Sequence, residues 1–451
     1  MAPEFGTSGL RGLVSELTPA LVGDYTRAFL AACPTGTGLF VGRDLRASSP
    51  LLARAVVAAA RGEGVPVTEC GAVPTPALAM AAMAAGAAAI MVTGSHIPAD
   101  RNGLKFYVPG GEIGKADEAV IKANLGRPAA GLEAPRRFDG TVGGDWAARY
   151  RRAFGRVLDG MKVGVWAHSA VSRDLLVLTL EALGARVAVF GASDRFVPVD
   201  TEAVPEAVRA DLAKWVIGLD AIVSTDGDGD RPLVADAAGR IVPGDVLGQI
   251  TAGFLQASTV VTTVSANTGV DLSHRFGRVV RTRIGSPYVI AAMQASTGDV
   301  VGYEPNGGFL LGFDALGGAL PALMTRDSLL PIVAALVEAK RAGSLAQRVA
   351  QEPHRYTVTD RIEGIGARVS QALMARLGAS AALAEFLAPL GAVTSVDRTD
   401  GLRVGLSTGD TVHLRPSGNA PEFRVYAEAG SPEAAASVVA RALGMVRAAL
   451  G

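Results

Sequence analysis

The chain has 451 residues and 49% of them are apolar, enough for two to four domains of roughly 100–200 residues, each with a sizeable core. Lys plus Arg number 43 and Asp plus Glu number 43, which excludes the basic excess of a nucleic-acid binder. Cys33 and Cys70 are the only cysteines; two in so long a chain exclude a disulfide framework, fit a reducing cytoplasm and read as small buried hydrophobes.

The opening residues, MAPEFGTSGLRG, lack the charged-then-apolar order of a secretory leader. Short β-rich runs at 39–41, 90–92, 163–166, 187–190 and 222–224 then alternate with Ala- and Leu-rich helical runs at 49–61, 173–183 and 205–214. This alternation predicts an α/β fold with active loops at strand ends. The uncharged stretch 77–92, ALAMAAMAAGAAAIMV, is shorter than the roughly 20 residues of a membrane span. It reads as a helix stopped at Gly86, followed by a buried strand at 88–92. Residues 127–141, rich in Pro, Gly and charge, read as a linker, and 236–245 as a turn-rich hairpin closing a second unit. Further strands are expected at 260–264 and 300–302, with a change of pattern after 351–354. Strands at 393–397, 402–406, 411–415 and 422–428, then a helix over 432–449, predict an α+β C-terminal domain. The expected domains are 1–138, 139–244, 245–352 and 353–451.

The strand at 222–224 runs into TDGDGDR, placing Asp226, Asp228 and Asp230 at alternate positions. In an extended loop such positions point the same way, and the glycines allow a tight turn. Convergent carboxylates repel unless a hard cation sits among them, and Mg²⁺ suits three oxygen ligands. An EF-hand loop is excluded because its sixth and twelfth positions hold Arg231 and Ala237. A haloacid-dehalogenase-like phosphatase, with Asp226 as nucleophile, is an alternative, although Asp230 stands where that motif has Thr or Val. Arg231 beside the aspartates points to a phosphate.

The strand at 88–92 runs into TGSHIPADRNGLKFY. Ser95 lies on a turn bounded by Gly94 and Pro98, where a hydroxyl is held exposed. His96 and Lys105 are placed to move its proton or steady phosphate charge. No G-x-S-x-G elbow surrounds Ser95, so an esterase has little support.

Five blocks in order resemble the α-D-phosphohexomutase family over essentially the whole chain: FGTSGLRG at 5–12, TGSHIP at 93–98, DGDGDR at 226–231, GYEPNGG at 302–308 and RPSGNAPEFR at 415–424. The resemblance implies three similar mixed α/β domains and a C-terminal α+β domain with an antiparallel sheet, around a central cleft. It implies that Ser95 carries the phosphoryl group and completes an Mg²⁺ shell with Asp226, Asp228 and Asp230. Arg11 and His96 would line the phosphoserine site, Lys105 would help move the proton, and Arg231 would sit near the transferring phosphate. Glu304 would grip two sugar hydroxyls. Arg415, Ser417, Gly418, Asn419 and Arg424 would hold the phosphate that is not reacting. The chain departs from the family pattern at Gly94 and Ile97, usually Ala and Asn. It departs again at Asn306 and Gly308, where Ser and His are common, and at Arg283, where Lys is frequent; Asn306 and Arg283 are expected among the substrate contacts.

The implied reaction is interconversion of hexose 6-phosphate and hexose 1-phosphate, mannose first and glucose second, through a hexose 1,6-bisphosphate. A phosphoglucosamine mutase of the same family, the phosphatase named above and a metal-dependent sugar-binding module without turnover are the alternatives. The expected partner is a small phosphosugar, with no nucleic acid and no membrane.

Overall fold

The β-branched and apolar runs pair into four sheets in a computed structural model that describes residues 3–6, 9–417 and 421–450. In the first sheet, Leu39–Arg43 lies parallel to both Val67–Ala72 and Ala88–Val92. Arg101–Val108 then returns antiparallel against Ala88–Val92. The second sheet repeats this with Lys162–Trp166, Arg186–Phe190, Ala221–Thr225 and an antiparallel Pro232–Asp236. The third repeats it with Thr259–Thr263, Arg278–Thr282, Val300–Tyr303 and an antiparallel Phe309–Leu311. In each, the strands stand in the spatial order second, first, third, fourth. The third strand is buried at every position in all three sheets. That is why it reads as an apolar run rather than an alternating one. Each third strand turns back into its antiparallel partner, and the three turns are 93–100, 226–231 and 304–308.

The uncharged stretch resolves as expected. Helix Thr75–Ala84 ends before Gly86, whose φ is 58°, and Ala88–Val92 follows. Among the described residues no helix is long and apolar enough to cross a membrane. Helices Ser49–Gly62, Arg173–Ala182 and Glu206–Trp215 fall within a residue or two of their expected limits. The stretch 127–141 is not wholly a linker, because Arg136–Phe138 pairs in parallel with the start of Val67–Ala72. This edge strand is exposed throughout, so no burial pattern marks it. Asp236 closes the turn after the second sheet by accepting from Ala238 N and Arg240 N, and helix Gly244–Phe254 leads into the third.

The fourth sheet is wholly antiparallel, in the order Tyr356–Glu363, Glu422–Ala429, Thr411–Pro416, Leu402–Leu406, Val393–Asp397. Helix Pro432–Leu450 packs on it. The strand Tyr356–Glu363 and the helices Ala367–Arg376 and Ser380–Leu387 go beyond the elements expected there.

One continuous apolar cluster joins the first three sheets through Leu78, Trp146, Leu176, Leu247 and Leu330, whereas the fourth has a separate core around Leu387, Val404, Val425 and Leu443. The third and fourth sheets meet at Glu428. Its buried carboxylate accepts from Thr268 N at 2.9 Å and from Thr268 Oγ1. Arg355 Nε, at 2.5 Å, and Arg403 Nη2, at 3.4 Å, pair with it from its own unit.

Separate cores predict that Trp146→Ala removes about 3–5 kcal/mol from a transition shared by the first three sheets and leaves that of the fourth unmoved. Scanning calorimetry reads both; an equal downward shift of both would contradict the partition.

Candidate active site

Ser95 follows the buried strand Ala88–Val92 and has φ +53°, a left-handed conformation that costs a serine roughly 1–2 kcal/mol. The surrounding bonds hold it there. Ser95 N donates to Thr93 Oγ1 at 2.8 Å, and Thr93 Oγ1 donates to Asp44 Oδ2 at 2.8 Å. Arg46, almost wholly buried, grips the turn from below. Its Nη1 donates to the carbonyls of Pro98 and Arg101 at 2.6 and 2.8 Å. Its Nη2 donates to those of Ser95 and Ile97 at 2.9 and 2.6 Å. The Phe196 ring covers the guanidinium at 3.9 Å. A Cβ on residue 94 would lie 2.7 Å from Arg46 Cζ, which explains glycine at that position. Arg46 was not legible as a site residue, because an arginine beside an Asp and two serines looks like an ordinary helix start.

The second sheet brings its turn against the first. A Cβ on residue 227 would lie 3.0 Å from the Ser95 carbonyl oxygen, so Gly227 lets the two turns meet. Ser95 Oγ donates to Asp226 Oδ2 at 2.6 Å. Asp226, Asp228 and Asp230 are all fully buried, and one carboxylate oxygen from each lies within 4.8 Å of the others. Asp226 Oδ1 accepts from the Asp230 and Arg231 amides at 3.2 Å each, which fixes the loop. Lys105 Nζ donates to Asp228 Oδ2 and to Asp230 Oδ2 at 2.6 Å each, and Thr75 Oγ1 donates to Asp228 Oδ2 at 2.6 Å. Among the described residues Asp228 Oδ1 and Asp230 Oδ1 have no hydrogen-bond donor. Orphaned buried carboxylate oxygens are costly. Three hard-oxygen groups with unused atoms on two of them fit a divalent metal such as Mg²⁺.

The charges show the same need. Burial, then the Asp228 and Asp230 carboxylates, push the Asp226 carboxyl well above the usual range. Burial works the same way on Asp228, but the Lys105 ammonium and the hydrogen bonds from Lys105 and Thr75 overcome it and hold Asp228 below. Burial opposes the charge on Lys105, and Asp228 and Asp230 more than restore it, which holds the lysine above its usual range. Burial, with Arg231 and Arg326, pushes the Arg11 guanidinium down to about 10, placing Arg11 in the same field.

His96 Nδ1 lies 3.4 Å from Ser95 Oγ and 3.0 Å from Arg231 Nη1. A guanidinium only donates, so Nδ1 is the unprotonated ring nitrogen. Burial and the Arg231 and Arg11 cations keep the ring neutral.

The third sheet supplies Glu304, which is buried and has Oε2 3.5 Å from Arg326 Nη1. Arg326 Nη2 in turn pairs with Asp230 Oδ2 at 2.9 Å. The Asn306 side chain is turned into its own loop, where Oδ1 accepts from Gly308 N at 2.9 Å. Arg283 is exposed, with its guanidinium 5.2 Å from the Tyr288 ring centre, and none of its described contacts reaches the aspartates. In the fourth sheet, Arg415 and Arg424 stand directly opposite each other on neighbouring strands. Like charges so placed repel. Asp400 Oδ2 lies 2.9 Å from Arg415 Nε, and Glu422 Oε1 accepts from Arg424 Nε at 2.7 Å. Ser417 follows Arg415 by two residues, and Ile284 N donates to Asp400 Oδ2 at 3.1 Å, tying this strand end to the segment holding Arg283. Gly418 and Asn419 lie outside the described residues.

Residues 2–130 match the family described as phosphoglucomutase/phosphomannomutase, alpha/beta/alpha domain I; residues 243–356 match its alpha/beta/alpha domain III and 367–444 its C-terminal domain. A phosphomannomutase of Sinorhizobium fredii is 43% identical, over 100% of both chains. A phosphomannomutase of Salmonella muenchen is 41% identical, over 99% of this chain and 96% of the relative. The crystal structure of a phosphoglucomutase/phosphomannomutase family protein of Burkholderia thailandensis superposes with a TM-score of 0.78 at 22% identity, covering 98% of this chain and 96% of that one. The chain belongs to the α-D-phosphohexomutase family.

Proposed function

We propose that the protein is a phosphomannomutase, an isomerase that interconverts mannose 6-phosphate and mannose 1-phosphate and accepts the glucose phosphates as second substrates. The observation that carries this reading is the 2.6 Å bond between Ser95 Oγ and Asp226 Oδ2, which joins a nucleophile from one sheet to the three-carboxylate loop of another. Relatives named phosphoglucosamine mutase are more distant, at 33% identity or less. A haloacid-dehalogenase-like phosphatase has no support, because the full-length relatives are mutases.

In the resting enzyme Ser95 carries the phosphoryl group. A sugar monophosphate enters with its own phosphate held by Arg415, Ser417, Gly418, Asn419 and Arg424, where guanidinium forks suit phosphate oxygens. Glu304 accepts hydrogen bonds from two sugar hydroxyls, whichever way round the ring lies. The free sugar hydroxyl attacks phosphorus, the bond from phosphorus to Ser95 Oγ breaks, and a hexose 1,6-bisphosphate forms. The proton lost by the sugar hydroxyl ends on Ser95 Oγ; His96, whose Nδ1 lies 3.4 Å from that oxygen, and Lys105, held on Asp228 and Asp230, are the groups placed to relay it. The bisphosphate turns end for end, and Ser95 takes back the other phosphoryl group. Arg231 and Arg11 counter charge on the transferring oxygens. A Mg²⁺ ion on Asp226, Asp228 and Asp230 supplies further neutralisation of phosphoryl charge when bound.

Ser95→Ala is expected to abolish turnover with the fold intact. The wild-type protein treated with glucose 1,6-bisphosphate should show a phosphoryl adduct on Ser95 by mass spectrometry; an active Ser95→Ala variant would end the proposal. Chelation should remove activity, and Mg²⁺ should restore it; activity unaffected by exhaustive chelation would count against a metal on the aspartates. Arg415→Ala should raise KM for mannose 1-phosphate by about tenfold or more with a smaller change in kcat; an unchanged KM would place the unreacting phosphate elsewhere.

A further inference from the structure

Arg326 lies on strand Leu323–Asp327, outside every motif that pointed to the site. It is 3% exposed, and its fork reaches two loops at once: Asp230 Oδ2 at 2.9 Å and Glu304 Oε2 at 3.5 Å. Its strand end is docked on the metal loop a second time, since Ser328 Oγ donates to the Gly229 carbonyl at 2.7 Å. The sugar loop packs against the same region: a Cβ on residue 307 would meet Pro232 Cγ at 2.8 Å. A Cβ on residue 308 would meet Arg326 Cδ at 2.8 Å and Cγ at 3.0 Å. Gly308, one of the departures from the family pattern, therefore stands where the stem of Arg326 passes.

We propose that Arg326 is the positioning residue that sets Glu304 against the metal loop, and that Gly308 is the space this arginine requires. The inference rests on the phosphohexomutase reading and adds to it a determinant of sugar recognition. Asp230 and Glu304 are both buried carboxylates on different sheets. Asp230 keeps Lys105 when Arg326 is removed, but the Glu304 carboxylate loses its one described ion pair. A planar guanidinium presents one arm to each carboxylate, here as ion pairs at 2.9 Å to Asp230 and at 3.5 Å to Glu304 without a hydrogen bond to Glu304 Oε2, a two-sided placement that a single ammonium does not offer. The pair 308/326 acts as one unit, since a side chain at 308 displaces the arginine. The acceptor of the sugar hydroxyls then moves, while Ser95 and its partners stay in place.

The test compares Arg326→Met, Arg326→Lys, Gly308→Ala, Glu304→Gln and the double variant Arg326→Met/Glu304→Gln with the wild type. KM and kcat are measured for mannose 1-phosphate. The dissociation constant for mannose 1-phosphate is measured calorimetrically on unphosphorylated protein, and phosphorylation of Ser95 by glucose 1,6-bisphosphate is followed by mass. Arg326→Met is expected to raise KM and the dissociation constant about tenfold or more, with kcat changed less and Ser95 still phosphorylated. Arg326→Lys should not restore affinity, and Gly308→Ala should move the constants in the same direction. The double variant should be no weaker than Glu304→Gln alone, because both changes remove one coupled interaction. Wild-type affinity in Arg326→Lys and Gly308→Ala would overturn the inference, even if Arg326→Met did not fold. Multiplying losses in the double variant would overturn it as well. A wild-type protein that turns over no hexose phosphate would instead overturn the functional reading.

Discussion

Three carboxylates packed out of water at one strand end impose the main constraint on this molecule. Asp226, Asp228 and Asp230 lie too close to be charged together without compensation, so the structure brings cations to them from several directions. Lys105 comes from the first sheet, Arg231 from the loop itself, and Arg326 from the third sheet. Each of these groups is costly to bury alone and tolerable only in company. The cluster therefore demands that three sheets dock together, and their shared apolar core meets that demand. Stability and chemistry have the same geometric requirement here.

The docking works because the same strand order occurs three times. In each of the first three sheets the chain reverses between the third and fourth strands, and each reversal carries a different chemical group. The first holds a hydroxyl on a left-handed turn, the second three carboxylates, the third a single carboxylate. Glycine at 94, 227 and 308 is explained at each place by what presses on it: the Arg46 guanidinium, the Ser95 carbonyl and the Arg326 stem.

Much of this was readable from residues. Apolar runs such as 88–92 and 222–224 declared buried strands, because a strand covered on both faces has no polar alternation to confuse it. DGDGDR and TGSHIP declared oxygen-rich turns at the ends of those strands. The edge strand Arg136–Phe138 was hidden, since three exposed residues carry no burial pattern. The first strand of the fourth sheet, Tyr356–Glu363, is exposed or half-buried throughout and was hidden too. Arg46 and Arg326 were hidden for another. Their importance lies in which distant carbonyls and carboxylates they reach, and a side chain bridging residues far apart in sequence leaves no local signature. Asn306 is expected among the sugar contacts, and only the folded loop shows that its amide oxygen accepts from the Gly308 amide.

The separate core of the fourth sheet gives Glu428 a particular character. Both arginines on this carboxylate, Arg355 and Arg403, belong to its own unit, and the bonds from Thr268 come from across the boundary. If the C-terminal unit swivels as a rigid body, the Thr268 bonds break and the arginines travel along. The carboxylate then keeps its counter-ions in either posture, so such a swivel strands no bare anion at the joint.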